Sequence, residues 1–415
     1  MKHSGSPKEG TTKTLWVEWI VYGLSLTVLL LAIPFPAEAR KIFYFTCGLA
    51  GIGWALDRRR PDNGVLFLLA ALAFFALYRG IHTIIEIKTF LPETNASQVY
   101  LWTASRFLMG LLLIGYLSTR CPSFHERWFR IVSATLMLSL VVAVGNELIL
   151  GEGRIERTRW ATILAYEVVA VCFAYIGLQL TRQINERKHW GALTCVSLLA
   201  LGIVLWTGTR TALLCFFIGG ALLLVLSERA RKWKVLGAAS LLMAVVLVGS
   251  YPYLVKPRLM EAYTDITQYV SGENRATSLG TRFELWRGSV MALKQTPLWG
   301  GGYQKRSDVL SDAIEQHHLD SVALHYGNKV HMHNDLLEEL SLRGLIGGAL
   351  LLLVYSAVAV LGWRARPKNL ALLGVLFVYV FSGLTDALFF NRETTMLFIM
   401  LLAVLIRSSP RQGET

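Results

Sequence analysis

The sequence predicts an all-α polytopic membrane protein, with about twelve transmembrane helices and one large loop on the outer side. Two observations carry that prediction. The 415 residues are 54% hydrophobic and only 17% charged, with a mean hydropathy of +0.47, whereas a soluble surface needs roughly 25% charge. The apolar share amounts to about 224 of the 415 residues, close to the roughly 240 that twelve spans of about 20 residues require. A soluble enzyme, a disordered chain and a secreted disulfide scaffold are excluded on these grounds.

The apolar runs, in chain order, cover residues 17–35, 42–56, 64–78, 100–117, 128–150, 160–180, 190–206, 211–226, 235–251, 336–363, 370–388 and 389–406. The division between the last two assumes a tight turn near Asn391, because Asp386, Asn391 and Arg392 interrupt the apolar pattern there. With the N-terminus inside, every inner connection is basic: Arg58 to Arg60; Arg120, Arg127 and Arg130; Arg182, Arg187 and Lys188; Arg229, Arg231, Lys232 and Lys234; Arg364, Arg366 and Lys368. The positive-inside rule then puts both termini in the cytoplasm. It also accounts for the net charge of +13 as topology, without nucleic acid as a partner. No cleavable signal peptide is expected, since the first run simply follows a short basic tail. Cys47, Cys121, Cys172, Cys195 and Cys215 have no metal-ligand spacing and read as small packing residues.

One integral membrane domain, 1–415, therefore carries one long outer segment, 252–333, with helical pieces between the ninth and tenth spans. Five of the nine histidines lie in it, and it is too long for a mere turn. Three signals surround it. Thr281 and Glu284 form a capping-box pattern, so a helix is expected to start there, with Arg282 and Trp286 on one face and Pro297 beyond its end. An interfacial amphipathic helix anchored by Trp286 and Trp299 is the plainer reading of that stretch. Thr207-Gly-Thr-Arg-Thr211 joins two spans by a tight outer turn and holds Arg210 at the membrane surface, as an anchor or a ligand group. Arg154, Arg157 and Arg159 lie on the same side. Finally, Asn334 is a plausible N-cap for the tenth span, after His331 and His333. Asp335, Glu338 and Glu339 suit the positive end of that helix, Glu339 and Arg343 can pair, and Gly344 and Gly348 give a close-packing face. Within the spans Arg106, Glu147, Glu167 and Asp386 are ionisable, and each must pair or line a pathway.

These signals resemble the O-antigen ligase and O-antigen polymerase superfamily of lipid-linked glycan transferases. The matching pieces are Thr209-Arg210 after a span; Arg282-x-x-x-Trp286, then Pro297 and Gly300-x-Gly302; and His333-Asn334 followed, after nine residues, by Gly344-x-x-Gly347. Within the superfamily the chain looks most like a ligase, with one dominant outer loop. The resemblance implies a GT-C-like glycosyltransferase architecture in a bacterial inner membrane. It implies transfer of a polysaccharide from undecaprenyl pyrophosphate to a lipid A–core sugar on the periplasmic face. His333, Arg210 and Arg282 carry over as catalytic residues, with Arg210 and Arg282 on the donor pyrophosphate. Arg287 and Arg159 are added there from charge geometry, and Asn334, Trp286 and Glu339 support the site. No Asp-x-Asp motif is present, so no metal and no cofactor are expected: arginine forks replace the metal on the leaving pyrophosphate, and a histidine accepts the proton of the acceptor hydroxyl. An O-antigen polymerase or a protein-glycosylating member of the superfamily, a lipid-linked glycan transporter and a non-catalytic scaffold are the alternatives.

Overall fold

The computed structural model describes residues 10–57, 59–90, 95–119, 128–150, 161–181, 187–227, 256–324, 331–365 and 368–406. All regular structure among them is helical. In chain order the helices are α1 (Gly10–Leu31), α2 (Pro36–Asp57), α3 (Asn63–Phe90), α4 (Asn95–Thr119), α5 (Trp128–Leu150), α6 (Ala161–Thr181), α7 (Arg187–Thr207) and α8 (Arg210–Leu226). They continue with α9 (Lys256–Ser271), α10 (Ser278–Gln295), α11 (Gly302–Glu315), α12 (Asp335–Arg364), α13 (Leu370–Gly383) and α14 (Arg392–Leu405). Four are long and apolar enough to cross a membrane by length and composition: 63–87 in α3, 98–119 in α4, α6 and α12. Shorter apolar helices accompany them in α1, α5, α7, α8 and α13. The chain is a multi-pass membrane protein. The expected ninth run, 235–251, lies outside the described residues.

Burial separates the middle of the bundle from its rim. Every residue of α6 from Ile163 to Leu180 is buried, as is every residue of α14 from Thr394 to Leu405. These helices have protein on all sides. By contrast α3 leaves Phe67, Phe74, Ile81 and Ile85 exposed, an apolar face suited to lipid tails. Between spans, apolar burial gives little net drive, because lipid is as apolar as leucine, so close packing and polar contacts hold the bundle. Gly177 is one such packing point: a side chain there would lie 2.4 Å from the backbone of Ala371 on α13.

Helices α9 to α11 form a separate layer at one end, with their own small core around Leu285, Leu310, Leu319 and Met332. The helix expected from Thr281 starts one turn earlier. Thr277 is its N-cap and accepts a hydrogen bond from the Gly280 amide at 3.1 Å, so Thr281 and Glu284 are both buried inside the helix. Trp286 packs against the small core instead of facing outward. The exposed apolar stripe of this layer is on α9, at Met260, Tyr263, Ile266 and Val270.

The layer is fastened to α12 through backbone. Gly344 has φ +63 inside α12 and breaks its regular path. The amides freed beyond it, Leu345 and Ile346, donate to Pro297 O at 2.8 Å and Leu298 O at 3.2 Å. Gly344 therefore does pack closely, but its partner is the 297–300 turn and not another span. A side chain on Gly344 would sit 2.5 Å from Leu298 O. The turn near Asn391 also differs in detail. α13 ends at Gly383, and residues 384–391 form an irregular connection before Asn391 caps α14 by accepting from the Glu393 and Thr394 amides.

Candidate active site

The N-terminus of α12 organises the site. Asn334 caps it as expected, its side-chain oxygen accepting from the Leu337 amide at 2.9 Å. The same side chain donates to Leu384 O at 3.0 Å, and Asp335 accepts from the Phe389 amide at 2.9 Å. Two adjacent residues thus clamp the 384–391 connection against the 331–335 segment. The clamp delivers Asp386 to the two histidines. Its Oδ1 lies 3.4 Å from His331 Nε2 and 3.6 Å from His333 Nδ1. His331 Nδ1 accepts from the His333 backbone amide at 3.0 Å, so its proton belongs on Nε2, facing Asp386. Both His331 nitrogens are thereby engaged. Burial holds its pKa down to about 4, which keeps the ring neutral at ordinary pH. His333 takes a left-handed backbone, φ +48, uncommon for a residue with a side chain. Its Nδ1 has no close hydrogen bond and points across a long gap to Asp386, which leaves Nε2 for a ligand.

Two of the predicted arginines, Arg210 and Arg282, come to the same neighbourhood. The α7–α8 turn is two residues long, with Gly208 at φ +66. It places Arg210 as the first residue of α8 and Thr211 just inside. Thr211 Oγ1 is 3.2 Å from Thr385 Oγ1, next to Asp386. The Tyr166 hydroxyl on α6 meets both threonines and lies within electrostatic reach of Asp386 and Arg282. So Arg210, Arg282 and His333 border one region, although they come from α8, α10 and the start of α12. Arg210 itself is bonded to Glu261 on α9 in an exposed ion pair. Arg282 has a buried Nε without a hydrogen-bond partner. Arg287 is committed elsewhere: it bonds Glu284 at 2.7 Å and His318 O at 2.9 Å. Glu284, fully buried, also accepts from the Tyr269 hydroxyl and the Asp320 amide, both at 2.7 Å, so Arg287 braces the α9–α11 layer. Arg159, Arg154 and Arg157 lie outside the described residues.

Beneath the histidines is a buried ionic network that the sequence reading caught only in part. Glu339 and Arg343 pair at 3.0 Å as expected, but Glu339 also meets Arg79 of α3 at 3.1 Å, and Arg79 donates to Phe389 O at 2.8 Å. Next to it, Glu338 accepts from Arg306 at 3.0 Å, from the Tyr100 hydroxyl and from the Met332 amide at 2.7 Å. Glu338 therefore holds the residue between His331 and His333. Arg79, Arg306 and Arg343 are all at most 2% exposed. A buried charge survives only when paired and hydrogen-bonded, and here each arginine faces a carboxylate. Among the described residues, His331, His333 and Asp386 are the set that could hold a metal, with one ligand atom each within 4.8 Å of the others.

Two comparisons bear on this geometry. Residues 195–352 match the family model described as O-antigen ligase, a stretch that contains Arg210, Arg282, Arg287, His333, Asn334 and Glu339. The chain is also similar to the O-antigen ligase of Escherichia coli (strain K12), 22% identical over 408 residues, covering 94% of this chain and 93% of that protein.

Both matches support the O-antigen ligase superfamily for this chain.

An uncharacterized protein of Haemophilus influenzae (strain ATCC 51907 / DSM 11121 / KW20 / Rd) is 29% identical over 119 residues, covering 27% of this chain and 29% of that protein. The likeness to O-antigen ligases is consistent with a transferase acting on lipid-linked glycans. Asp386 and Arg79 lie outside the matched region 195–352, so the family pattern does not bring them into the site. The fold does.

Proposed function

We propose that the protein is an O-antigen ligase with both termini in the cytoplasm, twelve spans and the 252–333 segment in the periplasm. It moves a glycan from undecaprenyl pyrophosphate to lipid A–core at the outer face of the inner membrane. The observation that carries this reading is the meeting of Arg210-Thr211, Thr385-Asp386 and His331-x-His333 through the 3.2 Å Thr211–Thr385 contact and the Asp386–histidine pairs. It joins cations suited to phosphate to an imidazole and a carboxylate at one end of a bundle of membrane helices.

In this reading the acceptor hydroxyl oxygen attacks the anomeric carbon and gives its proton to His333 Nε2. The bond from that carbon to the pyrophosphate breaks, and its electron pair stays on the departing phosphate oxygen. Arg210 and Arg282 stabilise the charge that builds there. Donor phosphate replaces the Glu261 carboxylate on Arg210. Asp386 orients His333 and balances the imidazolium that forms. Arg159, which lies outside the described residues, is assigned added positive potential, Arg287 acts through the α9–α11 layer that it braces, and Asn334, Trp286 and Glu339 keep the frame. The chemistry is metal-independent.

The test is transfer by purified protein, after exhaustive chelation, from a lipid-pyrophosphate glycan. Core-lipid acceptor is compared with repeat-unit acceptor. Transfer to core lipid alone supports the ligase. Elongation of repeat units instead would make it a polymerase, absence of any transfer would remove the enzyme reading, and loss restored by a divalent cation would put a metal on His331, His333 and Asp386.

A further inference from the structure

A second group of arginines lies near the histidines, apart from Arg210 and Arg282. A cavity of about 140 Å³ opens beside His331 and Asp386, walled by Val99 of α4, Ile163 of α6, Phe390 and Arg392. That volume is well below the roughly 300–1,000 Å³ of pockets for drug-sized ligands, so it suits one ring or one headgroup and not a chain. Arg392 lines the cavity, and two further arginines from two other helices gather near Arg392 and Glu393. Arg392 lies over the Trp102 ring, 3.5 Å from its centroid. Arg40 of α2 is 3.8 Å from Glu393. Arg106 of α4 is 2% exposed and within electrostatic reach of Arg40, Arg392 and Glu393. It donates to Trp102 O at 2.9 Å, yet its Nε is buried with no hydrogen-bond partner.

Structure alone does not account for this grouping. Three arginines against the one carboxylate of Glu393 leave an excess of two positive charges. Arg392 is the first residue of α14, where the helix dipole disfavours a cation. Arg40 sits near the start of α2 and meets the same adverse field. In the proposed topology all three lie on the outer side, where positive charge does nothing for orientation. Together with a buried guanidinium nitrogen that lacks a partner, this is an arrangement for a dianion. The cavity connects Arg392 to His331 and Asp386.

We propose that Arg40, Arg106 and Arg392 bind a phosphate group on the acceptor lipid, and that the acceptor sugar reaches His333 through the cavity beside His331. This rests on the transferase reading and deepens it: each of the two lipid substrates is held by its own arginines. The lining of the cavity includes residues of α4 and α6, two helices long enough to span.

The experiment uses the full chain in nanodiscs of neutral lipid. Retention of diphosphorylated lipid A–core is compared with that of the same lipid after removal of its phosphates, by native mass spectrometry. Wild-type protein is expected to favour the phosphorylated lipid by tenfold or more, as charge-assisted phosphate contacts would give. Arg40→Gln/Arg392→Gln should remove that preference, and Arg210→Ala should keep it. In the transfer assay the double variant should raise KM for the acceptor about tenfold and leave KM for the donor unchanged. Equal retention of both lipids by wild type, or an unaltered preference in the double variant, would overturn the proposal. So would displacement by phosphatidylglycerol at equal concentration, which would make the site a general anionic-lipid surface. Should the double variant fail to fold, Arg40→Gln alone, at a solvent-accessible position, decides in the same way. Binding does not require turnover. Phosphate-dependent retention without glycan transfer would remove the ligase reading and keep this site, whereas transfer without phosphate-dependent retention would do the opposite.

Discussion

His331 and His333 share one carboxylate but cannot share one role. The engaged nitrogens of His331 make it a support for the His333 backbone, while His333 keeps a nitrogen free for chemistry. General base catalysis typically contributes about 10²–10⁴-fold. His333→Ala is therefore expected to slow the single-turnover rate by about that factor and leave donor affinity intact, and an unchanged rate with weakened donor binding would reduce His333 to a phosphate ligand. His331 gives a pH signature. Its folded pKa of about 4 lies below the unfolded value near 6.5, so the unfolded chain binds the extra proton first. Stability is then complete above pH 6.5 and is lost as pH falls towards 4. Thermal unfolding of purified protein across that window should show the loss, and His331→Gln should flatten it. The sequence made His333 legible because Asn334 advertises the helix start beside it. Asp386 was visible only as an ionisable residue in an apolar run. Its partner stood about fifty residues away, and no spacing rule connects the two. Arg79 was not singled out for the same reason: it meets Phe389 O across 310 positions.

At the scale of elements, two joints decide whether the site forms. The Asn334 cap serves both its own helix and the 384–391 connection. Asn334→Ala should cost about 1 kcal/mol from the cap and somewhat more from the freed Leu384 carbonyl, read as a lower unfolding midpoint. Asn334→Asp should restore the cap and not the Leu384 bond. The Gly344 joint is stricter. Gly344→Ala puts a side chain at φ +63 and 2.5 Å from Leu298 O, so a loss of at least about 1–3 kcal/mol is expected from the backbone alone, with the α9–α11 layer loosened in hydrogen exchange at the Leu345 and Ile346 amides. Helix type and order were readable because apolar runs and caps are local facts. α10 starts one turn before the position that its sequence pattern indicates, for a physical reason. Thr281 and Glu284 fit a capping pattern, but Thr277 offers a hydroxyl four residues earlier, and Glu284 is needed in the interior for Arg287, Tyr269 and Asp320. Local patterns cannot report a tertiary claim on the same side chain.

For the whole molecule, the buried pairs tie four helices to one point. Glu339 faces Arg79 of α3 and Arg343 of its own helix; Glu338 faces Arg306 of α11 and Tyr100 of α4. Removing one partner of a buried pair costs about 3–5 kcal/mol because an uncompensated charge remains. Arg79→Met is expected to lower the yield of folded protein in the membrane, and the double change Arg79→Met/Glu339→Gln to recover part of it, measured by detergent-solubilised monodisperse protein. Overall orientation has its own check: from the periplasmic side, a thiol reagent should label a cysteine placed at Asp308 and spare one placed at Arg59, and the reverse pattern would invert the topology. The fastening of the α9–α11 layer to α12 has a consequence for descent. Leu345 and Ile346 are held through amides donating to the Pro297 and Leu298 carbonyls, so the joint does not depend on which side chains those residues carry. Substitutions can accumulate around it while the geometry is inherited unchanged, provided glycine persists where the backbone turns left-handed. A lineage can thus redraw the surface that meets its sugars and keep the hinge pin.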